Sequence, residues 1–121
     1  MWMTLGILFA LICIALLGVM IYDSTRFVTV SYRLTVPHLK KRMRIVLLAD
    51  LHNKRYGEKN QKLLAAVDAQ KPDVVLSAGD LITSKPKASM QNAMDLVRAL
   101  SEKYPVYCGN GNHEYQIFHD P

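Results

Sequence analysis

Three short polar clusters hold the side chains with chemical capacity: Asp50-Leu51-His52, Gly79-Asp80 and Gly109-Asn110-Gly111-Asn112-His113-Glu114. Carboxylate oxygen, imidazole nitrogen and amide oxygen together form a mixed donor set suited to divalent transition metals. Asp50 and His52, two apart on an expected extended segment, would point to one side and hold one ion. Asp80 has two carboxylate oxygens and could bridge two ions. Glycines at 79, 109 and 111 suit close backbone approach and positive φ at strand exits. Each fragment alone is a common tripeptide, turn or loop. Their order and spacing carry the signal: Asp50 to Asp80 is 30 residues and Asp80 to Asn112 is 32.

That spacing is one crossover of a parallel sheet. Arg44 to Ala49 and Asp73 to Ala78 are short apolar runs that predict strands buried on both faces, and Val106-Tyr107-Cys108 predicts a third. Between them, Glu58 to Gln70 repeats Leu63, Leu64, Ala66 and Val67 at helical spacing and stops at Lys71-Pro72. Ala88 to Lys103 repeats Met90, Ala93, Met94, Val97 and Leu100, and Tyr104-Pro105 ends it. Strand, helix, strand, helix, strand predicts βαβ crossovers and an α/β fold. Each cluster directly follows a strand, so all three fall on the carboxyl edge of the sheet, where open α/β sheets bind ligands. Asp50, His52, Asp80, Asn112 and His113 should therefore converge in one crevice. Gly109-x-Gly111 is not a dinucleotide fingerprint, because Glu114 stands at the third glycine position and the loop follows the third strand. His38 and His119 have no motif context and are expected at the surface.

The charge distribution excludes other classes. Residues 1 to 22 carry no Asp, Glu, Lys or Arg. Residues 23 to 44 carry Arg26, Arg33, Lys40, Lys41, Arg42 and Arg44 against Asp23 alone, and the remainder is balanced. A basic collar beside an uncharged segment, with no aromatic platform for bases, argues against nucleic-acid binding. Half the residues are hydrophobic, which argues against disorder. Two cysteines, one of them inside the apolar segment, cannot make a disulfide framework.

Trp2 to Tyr22 is nearly continuous apolar sequence, long enough for a bilayer core of about 30 Å. It lacks a basic n-region and a small-residue cleavage site, so an uncleaved transmembrane helix is expected over 1–22. Lys and Arg lie only after it, which predicts a single-pass cell-membrane protein whose remaining chain is cytoplasmic. The collar over 23–44 would attract anionic membrane lipid. Phe27 to Val36, rich in β-branched residues, predicts an edge strand ending at Pro37.

Asp50-x-His52, Gly79-Asp80 and Gly111-Asn112-His113-Glu114 resemble the first three motifs of the calcineurin-like metallophosphoesterases. Pro72 to Leu76 and Pro105-Val106-Tyr107 resemble the flanks of the second and third motifs, and the agreement runs from about Arg44 to Glu114. The apolar N-terminus resembles the membrane-anchored bacterial branch. The resemblance implies a metallophosphoesterase, a hydrolase of phosphoester bonds using two divalent ions such as manganese, iron or zinc. It implies that Asp50 and His52 bind the first ion, Asp80 bridges, Asn112 binds the second, and His113 is the catalytic residue at the scissile phosphate. Glu114 is expected to support a ligand or His113. The family continues with a further histidine and a Gly-His-x-His segment in a second half that completes a two-sheet sandwich. This chain contains neither, so residues 45–121 are expected to be the N-terminal part of the domain, truncated, with the C-terminal half as its missing partner and one sheet face uncovered. The substrate would be a phosphoester, with anchoring favouring a lipid-linked one. The alternative is a non-catalytic membrane-anchored remnant or interaction module.

Overall fold

The computed structural model describes residues 2–85 and 89–119. Ala88, the expected start of one helix, lies outside the described residues. The chain forms two compact units, Met1–Val36 and Pro37–Pro121.

The first unit is built on α1, Trp2–Ser24. Its 23 residues rise about 34 Å at 1.5 Å each, and none of its side chains is buried. It is long and apolar enough to cross a membrane, a property that an N-terminal signal sequence shares. Ser24 Oγ donates to Ile21 O and Thr25 Oγ1 to Tyr22 O, which satisfies carbonyls left open at the helix end. Arg26 pairs with Asp23 at 2.8 Å and lies over the Tyr22 ring at 5.1 Å.

The expected edge strand over 27–36 does not form. Its β-branched residues supply propensity, but strand hydrogen bonds need a neighbouring strand, and this segment is paired with none among the described residues.

The second unit holds the sheet. β1 (Ile45–Leu48), β2 (Val74–Ser77) and β3 (Val106–Cys108) lie in the order β1-β2-β3, all parallel. Leu48 pairs with Ser77 and Ser77 with Cys108, so the three strands end level. α2 (Gln61–Gln70) and α3 (Gln91–Ser101) make the two crossovers. With no reversal in strand order, right-handed crossovers put both helices on one face. Leu63 and Val67 of α2 and Ala93, Leu96 and Leu100 of α3 are buried there, over Leu48 and a fully buried Val75. Asp68 ties the far ends of the two helices together by accepting from Lys103 Nζ at 2.6 Å and Tyr104 Oη at 2.7 Å.

The helices differ from expectation in their details, and Met90, expected in the apolar stripe, is exposed just before α3. Leu96, not Met94, completes the buried stripe of α3, because 93, 96 and 100 lie on one face and 94 is rotated off it. The turn before α2 is a short 3-10 segment, Glu58–Asn60, with Lys59 and Asn60 left-handed.

The opposite sheet face is uncovered, as expected. Ile45, Leu47 and Tyr107 are 53, 61 and 66% exposed, and Val74 and Leu76 between them are only half-buried. Parallel sheets normally have both faces covered, and among the described residues this apolar strip is not.

Candidate metal centre

The level strand ends deliver the three clusters to one edge. Beyond the strands the ladder continues through Ala78 N–H to Leu48 O at 2.9 Å and Gly109 N–H to Ser77 O at 2.8 Å. The first cluster is then stitched to the second: His52 N–H donates to Asp80 O and Asn53 N–H to Leu81 O, each at 2.8 Å. Donor atoms of Asp50, His52 and Asp80 lie within 4.8 Å of one another. Asp50 and His52 are exposed and Asp80 half-buried, which leaves the group open to an ion from solvent.

Asp50 and His52 do not meet by the pleat of an extended segment. Asp50, His52, Asn53 and Asp80 all have φ between 47° and 59°, the left-handed region. Asp, Asn and His tolerate that region better than other residues, and such conformations concentrate at functional sites. The side chains converge through a tight turn, not through period-two alternation.

A network of asparagines supports this turn. Buried Asn60 accepts the Tyr56 N–H through Oδ1 at 3.0 Å and donates through Nδ2 to Asn92 Oδ1 at 2.9 Å. Asn92 Nδ2 in turn donates to the carbonyls of Asn53 at 3.2 Å and Lys54 at 2.9 Å, and Asn53 Nδ2 donates to Ser89 O at 2.7 Å. No motif or spacing in the sequence marks these residues. A left-handed Asn before a helix looks like an ordinary cap, although Asn60 makes no side-chain cap to α2.

The third cluster is not a loop throughout. Asn112–His119 form an additional helix, α4. Tyr115 N–H donates to Gly111 O, and the Glu114 carboxylate reaches back to accept the Gly111 N–H at 2.8 Å. This is the glutamate half of a capping box, with Glu114 at the third helical position, and it was the available sequence signal for the helix. His113 N–H, free at the helix start, donates to Asp80 Oδ1 at 3.0 Å. One oxygen of Asp80 is thus oriented by the amino end of α4.

Glu114 does more than cap. Its carboxylate also accepts the N–H of Asp80 at 2.8 Å and of Ile82 at 3.2 Å. Its support for Asp80 runs through the backbone of the loop that carries that residue and not through the carboxylate itself. Burial pushes its pKa up, but the N–H donors of Asp80, Gly111 and Ile82 outweigh that and hold the carboxyl below the usual carboxylate range. Glycines make this closeness available. A Cβ on Gly79, where φ is +103°, would collide with Gly111 N, and a Cβ on Gly111 would collide with the Asp80 carboxylate.

The His113 ring packs edge-on against His52 with centroids 4.9 Å apart. Its Nδ1 lies 2.8 Å from Ser84 Oγ. Asn112 stands exposed at the start of α4, one residue from His113. Desolvation and the Glu114 carboxylate push the Cys108 thiol up. His38 is exposed, and so is His119, which stacks on Tyr115.

The sequence model of the calcineurin-like phosphoesterases matches residues 43–121. The chain belongs to that family. The match covers β1 through α4 and so includes all three clusters. A phosphoesterase of this family uses divalent metals, and the Asp50–His52–Asp80 group has the donor chemistry for one. Over 87 residues, 70% of its length, the chain is 36% identical to an uncharacterized metallophosphoesterase of Campylobacter jejuni. It spans 23% of that relative's length. No solved structure matches the chain.

Proposed function

We propose that the chain is the metal- and phosphate-binding front of a membrane-anchored phosphoester hydrolase. It is organised as a transmembrane helix over 1–22, a basic juxtamembrane segment over 23–44 and the N-terminal part of the phosphoesterase domain over 45–121. The observation that carries this reading is the convergence of Asp50, His52 and Asp80 donor atoms at the carboxyl edge of a parallel sheet, in a chain of this family. Asp50 and His52 hold one ion, Asp80 is shared, and Asn112 completes the place of a second. Manganese, iron and zinc all suit this mixture of oxygen and nitrogen donors.

When bound, such ions supply Lewis-acid polarisation of the phosphate and a nucleophile at neutral pH. The chain's own groups do the rest. The left-handed turn and its asparagine network hold His52 in place, and α4 orients Asp80 through one oxygen, leaving the other for metal. His113, against His52, faces the phosphate and assists the leaving group. The uncovered face of Ile45, Leu47 and Tyr107 receives the remainder of the domain, for which the greater length of the Campylobacter relative leaves room.

α1 supports single-pass anchoring. Arg33, Lys40, Lys41 and Arg42 are all exposed, and each basic residue near anionic lipid contributes about 1 kcal/mol of attraction. The lysine and arginine bias favours a cytoplasmic site. Anchoring favours a lipid-linked phosphoester as substrate.

The test is Asp80→Asn in the full chain held in detergent. Manganese binding followed by calorimetry should weaken at least tenfold, and any metal-dependent hydrolysis of an aryl phosphate should vanish, in keeping with the loss of a ligand. Unchanged affinity would remove Asp80 from the site and with it the reading.

A further inference from the structure

His113 meets one residue through two atoms. Its Nδ1 lies 3.1 Å from the backbone N of Ser84 and 2.8 Å from Ser84 Oγ. The two contacts do not carry the same information. A hydroxyl can donate or accept and rotates to suit its partner, so the Oγ contact alone leaves the imidazole tautomer open. A backbone N–H has no such freedom; it can only donate. Nδ1 must therefore be the acceptor, and a neutral imidazole then carries its single proton on Nε2.

We infer that Ser84 is a positioning residue that fixes His113 in the Nε2–H tautomer, so that the nitrogen turned away from Ser84 is a hydrogen-bond donor. Three constraints act on this histidine from different directions. Its main chain is held by Asp80 Oδ1, its ring lies edge-on to His52, and its Nδ1 is occupied by Ser84. Only Nε2 is left to address a ligand. Ser84 lies four residues beyond Asp80 on the loop that leaves β2. The loop that presents the Asp80 carboxylate therefore also sets which nitrogen of His113 bears the proton. The Glu114 bonds to Asp80 N–H and Ile82 N–H fix the start of that loop, so the Ser84 amide reaches His113 from a supported backbone.

The inference rests on the reading of His113 as the group that meets a phosphate oxygen. An Nε2–H can donate a hydrogen bond to such an oxygen; an Nε2 lone pair would repel it.

The experiment reads the tautomer and not the reaction. The full 121-residue chain, labelled with nitrogen-15 and held in detergent micelles without metal at neutral pH, is examined by long-range proton–nitrogen correlation of the imidazole rings. The His113 signals are assigned by their loss in His113→Gln. The expected spectrum shows Nε2 protonated and Nδ1 bare. Ser84→Ala removes the hydroxyl but keeps the N–H that decides the tautomer, so Nε2 should stay protonated. Ser84→Pro removes the N–H and should shift the ratio roughly fivefold toward Nδ1–H, the worth of one ordinary hydrogen bond. A wild-type spectrum with Nδ1 protonated overturns the inference without any variant. So does a switch to Nδ1–H in Ser84→Ala. Neither outcome touches metal binding, and a chain with the expected tautomer that binds no manganese would instead refute the proposed site alone.

Discussion

Replacing Glu114 by glutamine tests the organisation of the whole edge. The carboxylate receives three N–H groups: Oε2 takes those of Asp80 and Gly111 at 2.8 Å, and Oε1 takes that of Ile82 at 3.2 Å. A glutamine can keep its carbonyl where Oε2 stands and retain two of them. Its NH2 then faces the N–H of Ile82, donor against donor, at a residue that is 8% exposed. Losing one charge-assisted bond costs about 1.5–3 kcal/mol, and weakening the other two to neutral strength adds to that. The expected loss is roughly 2–4 kcal/mol, or a fall in melting temperature on the order of 10–20 °C for a unit of this size. Thermal unfolding of the full chain in detergent, followed by circular dichroism, measures it. The pH dependence supplies an independent sign. The folded carboxyl sits below its unfolded value of about 4.3, so its stabilisation is present above that pH and is lost as pH falls through the folded value. Wild type should therefore lose more stability on acidification than Glu114→Gln does. Equal melting temperatures at neutral pH, or parallel acid profiles, would refute the claim that this carboxylate holds the loops together.

Three further outcomes follow from the same geometry. Asn92→Ala strands buried Asn60 Nδ2 and frees the Asn53 and Lys54 carbonyls, so it should cost about 1–3 kcal/mol in thermal unfolding and weaken manganese binding through His52, whereas Asn92→Gln should recover neither because its amide is displaced by one methylene. Gly79→Ala combines a left-handed φ with a backbone collision against Gly111, and should destabilise by roughly 2–4 kcal/mol in the same melt. With a cytoplasmic site, exposed Cys108 should resist a membrane-impermeant maleimide in intact cells and react after permeabilisation, and labelling of intact cells would reverse the orientation.

The sequence alone determined the order of the strands' exits and therefore the meeting of the clusters. Apolar runs at Arg44 to Ala49 and Asp73 to Ala78 read as strands, although only one face of the sheet is buried; parallel strands a crossover apart end on one edge, and Asp50, His52 and Asp80 stand directly after them. The apolar N-terminal helix was equally legible, because a run of that length needs no partner to identify it. The uncovered sheet face followed from counting two helices against two faces. Tertiary structure decided what local pattern cannot carry. Residues 27–36 have strand propensity but form no strand among the described residues, and pairing is a property of two segments. The left-handed backbone at Asp50, His52 and Asp80 is held by hydrogen bonds to other loops and is not preferred by its own residues. The asparagine network joins positions 32 to 39 residues apart, each of which reads as an ordinary turn or cap when taken alone. Glu114 and Ser84 show the same limit from the site's side: their partners are backbone amides and a ring nitrogen brought near by the fold, and nothing in the spacing of residue types encodes which amide a carboxylate will meet.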